Sequence, residues 1–357
     1  MMIRRLLILP LLVVGLVFSS CDGDGPEEPK DTFDKEAMLT NMASGVIIPA
    51  YEDLQESLTN LQDVKDVWSA QPSASTFDAL RDQYAVVHTK WVACSAYEFG
   101  PAAENNLRLT FNTFPTDTAQ INQNVASGNY DLEANQNSDA IGLPALDYLL
   151  YFYEADDAVV QLAEYEGYVQ ANIDLMTKTL DAVVDAWNAS YTDDFTSSTG
   201  SAAGSSTSLL VNELNFDYEL VKNASLGIPA GKKTLGITQP YKVESPYGRH
   251  SKSLAIAHVQ ALRNCFAGGS GQGLDDYLDN IEAKHNGELL SQAILDGFDD
   301  VETKLAAISG DLLIAVDDEA TAVEAAYVSM QNLVVLLKTD MPSQLGIQIT
   351  YQDNDGD

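Results

Sequence analysis

The sequence predicts an all-α protein built as two helical bundles side by side, and three observations carry that prediction. Apolar residues recur at steps of three and four over long spans. Val169, Ile173, Met176, Leu180, Val183 and Trp187 fall on one helical stripe, and Val323, Tyr327, Met330, Val334 and Leu337 repeat the pattern near the end. No alternating strand pattern of useful length appears before "LGIQITY" close to the C-terminus. Finally, residues 191–206, "YTDDFTSSTGSAAGSS", shift abruptly to Ser, Thr, Gly and Asp. Such a segment is expected to bury too little apolar area to order itself, so it reads as a linker between bundles at 34–190 and 207–357.

The elements follow in chain order. Residues 1–20, "MMIRRLLILPLLVVGLVFSS", place Arg4 and Arg5 before an apolar run of about 14 residues, too short to span a bilayer as a helix and laid out as a secretory signal. The run ends on Ser19, Ser20 and Cys21, which resembles a bacterial lipoprotein signal with Cys21 as the acylated residue. An ordinary signal peptide cleaved nearby is the alternative. Residues 21–33 then form an acidic, Pro-containing tether.

In the first bundle, Pro49 sits inside a helical pattern, where it removes a backbone donor and bends the helix. Ser75 with Asp78 reads as the cap of the next helix, whose stripe is Leu80, Tyr84, Val87 and Trp91 and which runs on to the breaker Gly100–Pro101. The polar stretch 102–138 is too long for an ordinary connection and is expected to be functional or mobile. Gly142 then opens the apolar helix "GLPALDYLL", with Pro144 in its first turn and the carboxylate Asp147 among its leucines.

The second bundle contains "ESPYGRHSKSLAIAHVQAL". Glu244, Ser245, Arg249 and His250 lie in a loop, Ser251 is a plausible N-cap, and a helix N-terminus beside Arg249 suits an anion or carboxylate. A cap with an internal salt bridge explains the same residues without a ligand. His258, among alanines, reads as a core histidine. His285 and Glu288 have a metal-pair spacing, but the Asn286–Gly287 between them favours a turn. The final "YQDNDGD" has no residue at the twelfth position of a calcium loop.

The net charge is −34, and removing residues 1–20 takes away two arginines and no acid. That excess argues against nucleic acid and against electrostatic attraction to anionic head groups. Cys94 and Cys265 lie in apolar helical contexts and read as buried free thiols, although an oxidising envelope would permit them to pair. No HExxH zinc motif occurs, and "GGSGQG" lacks the order of a serine nucleophile elbow.

Several of these stretches, in their order and spacing, resemble the imelysin-like family: "VIIPAYEDL", Trp91 eight residues before Phe99–Gly100–Pro101, "GLPALDYLL", "VESPYGRHS" and "LGIQITYQDNDGD". The resemblance covers roughly residues 37–357. It implies an outer-membrane lipoprotein of the cell envelope, with two helical bundles, associated with iron or haem uptake. It also implies a ligand cleft between the bundles, an outer-membrane uptake partner and no nucleic acid. Carried onto this chain, the cleft would take Trp91, Gly142, Pro144, Asp147, Glu244, Ser245, Arg249 and Ser251. The family's GxHxxE signature falls on Gly142–Asp147, where Pro144 replaces the histidine and Asp147 the glutamate. His and Glu three apart share a helix face and can offer a nitrogen and an oxygen to one metal, whereas proline offers neither. Iron or another divalent metal is therefore implied by the family but without its motif histidine. A binding lipoprotein is the first reading, a metal-independent surface interaction protein the second. A metallopeptidase is the third and has no motif to support it.

Overall fold

The first helix among the described residues changes pitch. Lys35–Asn41 is α-helical, Met42–Ile47 forms wider π turns, and Ile48–Ala70 continues as α-helix. Pro49 comes directly after the π turns. Its missing N–H is thus placed where the hydrogen-bond register is already changing, and the helix runs through it. The computed structural model describes residues 32–152 and 155–351, without the side chains of 155–163. The signal, Cys21 and most of the tether lie outside those residues, as does most of "YQDNDGD". From Phe33 on the chain forms one compact unit.

In the first half, Ile48–Ala70 packs antiparallel on Ala74–Val92 and on the long helix Ala155–Ala186, which in turn carries Gly142–Tyr151. The Ala74–Val92 helix is capped by Ser73, not Ser75. The Ser73 hydroxyl accepts from Thr76 N and the Thr76 hydroxyl from Ser73 N, a reciprocal cap that the threonine completes as well as an acid would. The helix also stops at Val92, where its apolar stripe ends and well before the breaker Gly100–Pro101, and a 3-10 turn at Ser95–Tyr97 follows. The polar stretch after Gly100 is not a bare loop. It holds short helices at Pro101–Glu104, Leu107–Phe111 and Thr118–Ser127.

In the second half, Ser251–Ala267, Leu290–Ala306 and Ala320–Val334 pack in sequence, with Ser206–Leu220 against the first of them. Among the described residues the only sheet is a hairpin pairing Lys284–His285 with Glu288–Leu289. Its turn residues Asn286 and Gly287 both have positive φ, as a tight hairpin of this kind requires. His285 Nδ1 lies 2.7 Å from Asp340 Oδ2, so its ring is hydrogen-bonded there and not joined in a site with Glu288.

The expectation of an unordered linker is corrected for its first part, while residues 198–205 form neither helix nor strand. The long helix continues through π turns into Thr192–Ser197, and Phe195 is buried, stacked on Phe99 at 5.7 Å and edge-on to Trp187 at 5.3 Å. One phenylalanine in a polar stretch suffices to anchor it, because Phe99 and Trp187 supply a pocket that local composition does not reveal. Phe195→Ala is expected to destabilise the protein by about 3 kcal/mol in urea unfolding. A loss below about 1 kcal/mol would return this segment to the status of a tether.

The halves meet along a broad seam. Ser251–Ala267 lies on Ala74–Val92, and Ser206–Leu220 lies on the Ser95–Tyr97 turn. Asn41 Nδ2 bonds to the carbonyls of Gly268 and Gln272, both at 2.8 Å, which ties the first helix to the second half. Cys94 and Cys265 are buried free thiols.

Candidate functional site

Gly142 sets the position of everything that follows it. Its φ is +71°, and a Cβ there would lie 2.4 Å from the carbonyl oxygen of Thr110 and 2.5 Å from that of Phe111. Glycine alone supplies that approach. Its N–H donates to Asn172 Oδ1 at 2.8 Å, and Pro144 occupies the first turn, where no N–H is needed. One turn later Asp147 is fully buried.

Asp147 is met by the 244–251 loop, as the motif order suggests. It accepts from the Ser245 hydroxyl at 2.6 Å, from Tyr247 N at 2.9 Å and from Gly248 N at 3.0 Å. Tyr84 OH approaches at 3.4 Å. The loop achieves this with Ser245 and Arg249 at positive φ and with a glycine at 248, where a Cβ would sit 2.7 Å from Asp147 Oδ1. Burial raises the Asp147 carboxyl above the ordinary range, and the hydrogen bonds from Ser245, Tyr247 and Gly248 pull against that rise.

The Ala74–Val92 helix extends the network. Tyr84 OH lies 3.0 Å from His88 Nδ1 and 3.1 Å from the Leu143 carbonyl, and His88 Nε2 lies 3.0 Å from Glu244 Oε1. Glu244 is fully buried and also accepts from Asn112 Nδ2 at 2.6 Å. Burial works to raise its carboxyl, but His88, His258 and Asn112 outweigh it and hold it at about 2. Beyond Glu244 come His258, whose Nε2 is 3.0 Å from Ser95 Oγ, and then Asp217, which accepts from Ser95 Oγ at 2.8 Å. Arg108 closes the row, with its Nη2 3.3 Å from Glu213 and 3.5 Å from Asp217.

At this end of the row the seam opens into a cavity of about 440 Å³. Trp91, Leu109, Phe114, Phe216 and Leu220 form its apolar wall, and Ser95, Glu98, Arg108, Asn112, Asp217 and His258 its polar one. Trp91 stacks on Phe111 at 4.9 Å, which fixes its indole. Three buried polar atoms of these lining residues lack any hydrogen-bond partner in the protein, Trp91 Nε1, Arg108 Nε and Asn112 Oδ1, and a fourth, His258 Nδ1, has only Glu244 Oε2 at 3.8 Å. Buried polar atoms are rarely left unpaired, and those around this cavity leave hydrogen-bonding capacity that a ligand or water can fill.

Two carboxylates, Glu213 and Asp217, share the single guanidinium of Arg108, and a third, Glu98, accepts from the Arg108 backbone N–H at 3.0 Å. Burial raises Glu213 to about 7 against the pull of Arg108, and Glu98 is raised for the same reason. A carboxyl whose folded pKa exceeds its ordinary 4.5 contributes stability that is full below 4.5 and is lost as pH rises through 7. The melting temperature of Glu213→Gln, compared with the parent, is therefore expected to gain as pH rises from 4.5 to 8. A difference that stays constant over this range would show that Glu213 does not titrate there.

The residues expected in the cleft separate on inspection. Trp91 lines the cavity. Glu244 stands just behind it, bonded to the lining residue Asn112, and Asp147 and Ser245 lie further along the row. Gly142 and Pro144 shape the backbone and do not line the cavity. Arg249 is exposed. Ser251 is not the helix cap: it is the first helical residue, donating to Asp311 Oδ2 at 2.7 Å. His88, Ser95, Arg108, Asn112 and Asp217 escaped the sequence reading, and His258 was set aside as a core residue. His88 had a signal, since it follows Tyr84 by four and precedes Trp91 by three on the same helix face. Asn112 and Arg108 had none.

The donor set does not suit a metal at the degenerate motif. Pro144 has no ligand atom, and the Asp147 oxygens are already engaged by four donors. Among the described residues no group of three or more His, Cys, Asp and Glu side chains is arranged to hold one ion.

Comparison with known proteins places this architecture. The chain is similar to a solved structure described as an iron-regulated protein A precursor from Parabacteroides distasonis, at 16% identity and a TM-score of 0.75, covering 87% of this chain and 95% of that one. It is also similar to an imelysin-like protein from Psychrobacter arcticum, at 20% identity and a TM-score of 0.71, covering 89% and 97%. No curated protein matches the sequence. The family model of Imelysin, peptidase M75, matches residues 47–339 and so spans most of both halves. The chain belongs to the imelysin family.

Proposed function

We propose that this protein is a lipid-anchored binding protein of the cell envelope, serving iron-related uptake together with an outer-membrane partner, and that its ligand sits in the seam cavity. The observation that carries the reading is the cavity itself: apolar and polar lining residues, three of them with an unpartnered buried polar atom, around a volume of the size that small organic ligands occupy. The family membership and the iron-regulated neighbour support an iron-related role. Since the motif pair is broken and Asp147 is saturated, iron would arrive inside an organic ligand and not as a bare ion. The same enclosure argues against a peptidase, because Asp147 and Glu244 are fully buried and already hydrogen-bonded.

Calorimetric titration of the protein with haem, ferric citrate, ferrous ion and zinc tests this. Heat is expected from an organic iron species and none from the bare ions. Trp91→Phe, which keeps the stacking on Phe111 and removes the indole N–H, is expected to weaken that binding about tenfold. No heat from any of the four, or binding indifferent to Trp91→Phe, would sink the cavity reading and favour an interaction protein that has lost its ligand.

A further inference from the structure

The negative charge of this chain is not evenly distributed. Residues 220–274 hold seven lysines and arginines and a single acid, Glu244, in a protein of net charge −34. Within that span the segment 228–243, "IPAGKKTLGITQPYKV", contains Lys232, Lys233 and Lys242 and no acid at all. It runs as a loop from the π turns at Val221–Gly227 through the 3-10 turn at Pro240–Lys242, and Lys232 pairs with Glu324 of the Ala320–Val334 helix.

The loop is built to hold one shape. Lys232 N donates to the Gly227 carbonyl at 2.8 Å, Gly236 N to Gly231 O at 3.0 Å, and Gln239 N to Pro229 O at 2.8 Å. A Cβ on Gly231 would lie 2.9 Å from the carbonyl carbon of Gly236. This tight turn carries apolar side chains into solvent: Leu235 is 102% exposed, Ile237 68% and Tyr241 71%. Leu235 also has φ +56°, a backbone region that leucine adopts only at a cost. Single exposed apolar residues are ordinary, but three within seven residues on a hydrogen-bonded loop, one of them strained, return nothing to the fold.

We propose that this loop docks the body onto an anionic phospholipid surface. Leu235 and Ile237 enter the acyl boundary, Tyr241 sits at head-group depth, and Lys242 together with the exposed Arg249 faces the phosphates. The net charge excludes such a surface for the molecule as a whole. Screening limits repulsion from distant acids to about 8 Å at physiological salt, so a loop with no acid of its own, and with Glu324 beside it neutralised by Lys232, can approach where the rest cannot. An acidic protein partner would pair with the lysines but would leave the leucine tip unexplained, which favours lipid.

The body from Phe33 on is a compact unit in itself and can be tested without the N-terminal segment. It is sedimented with vesicles of phosphatidylcholine alone, or of equimolar phosphatidylcholine and phosphatidylglycerol. Pelleting is expected only with the anionic vesicles and is expected to fall as salt rises. Leu235→Asp and Lys242→Glu should each weaken it about tenfold, with helicity by circular dichroism unchanged. Aspartate tolerates positive φ, so the first variant keeps the loop. Val67→Asp, at an exposed valine on the Ile48–Ala70 helix, should pellet like the parent. No pelleting with either vesicle, equal pelleting with both, or parental binding by Leu235→Asp would overturn the proposal. So would binding confined to an acidic protein.

Discussion

Asp147→Ala is expected to cost about 4 kcal/mol of folding stability in urea titration, one of the two largest effects of any single substitution considered. The reason is the number of donors left behind. The Ser245 hydroxyl, the Tyr247 and Gly248 amides and the Tyr84 hydroxyl all point at its carboxylate, in a place where no part of Asp147 is exposed. Two of them are backbone amides in a loop held at positive φ on either side, so they cannot turn to another acceptor without releasing that strain. Asp147→Asn keeps the shape and one acceptor oxygen, but its amide nitrogen then confronts donors. It should lose about half as much. If Ala and Asn cost the same, or Ala costs under about 1 kcal/mol, the buried network is not what joins the Gly142 helix to the 244–251 loop.

The fold was legible because its signals are local and repeated. The stripe Val169 to Trp187 is buried almost throughout its length, and Asn286–Gly287 makes the turn that its two residues dictate. The meeting of Asp147 with the 244–251 loop was legible only through family order, since nothing in either stretch names the other. Beyond that the site was opaque for a physical reason. Its cavity is walled by residues whose local context is ordinary, such as Arg108 and Asn112 in a polar stretch and Phe216 on an amphipathic helix. They converge only because the two halves close on each other. Phe195 shows the same limit in reverse. Its neighbours are all polar, and the pocket that buries it is made by Phe99 and Trp187 from elsewhere in the first half. Composition could report the polarity of that segment but not the shape of what receives it.

Gly142→Ala is expected to destabilise the protein by about 4 kcal/mol, comparable to the loss of Asp147 but for a different cause. At φ +71° alanine is strained by itself, and its methyl would meet two backbone carbonyls, of Thr110 and Phe111, at 2.4 and 2.5 Å. Backbone atoms cannot swing aside as a side-chain tip can, so the Leu107–Phe111 helix has to shift as a body. That helix also carries Arg108 and Leu109 into the cavity, and Asn112, which holds Glu244, follows it directly. The substitution should therefore reach the cavity as well as the fold. Any variant molecules that remain folded at low temperature should bind the organic iron species more weakly than the parent, although Gly142 itself lines no part of the cavity. Asn172→Ala provides the comparison. It removes the partner of the Gly142 N–H at 2.8 Å without pushing on Thr110, and should cost about 2 kcal/mol while leaving the affinity of the folded fraction near the parental value. If both variants lose stability equally and neither changes affinity, the glycine is only a helix start, and the link from Gly142 through the Leu107–Phe111 helix to the cavity is wrong.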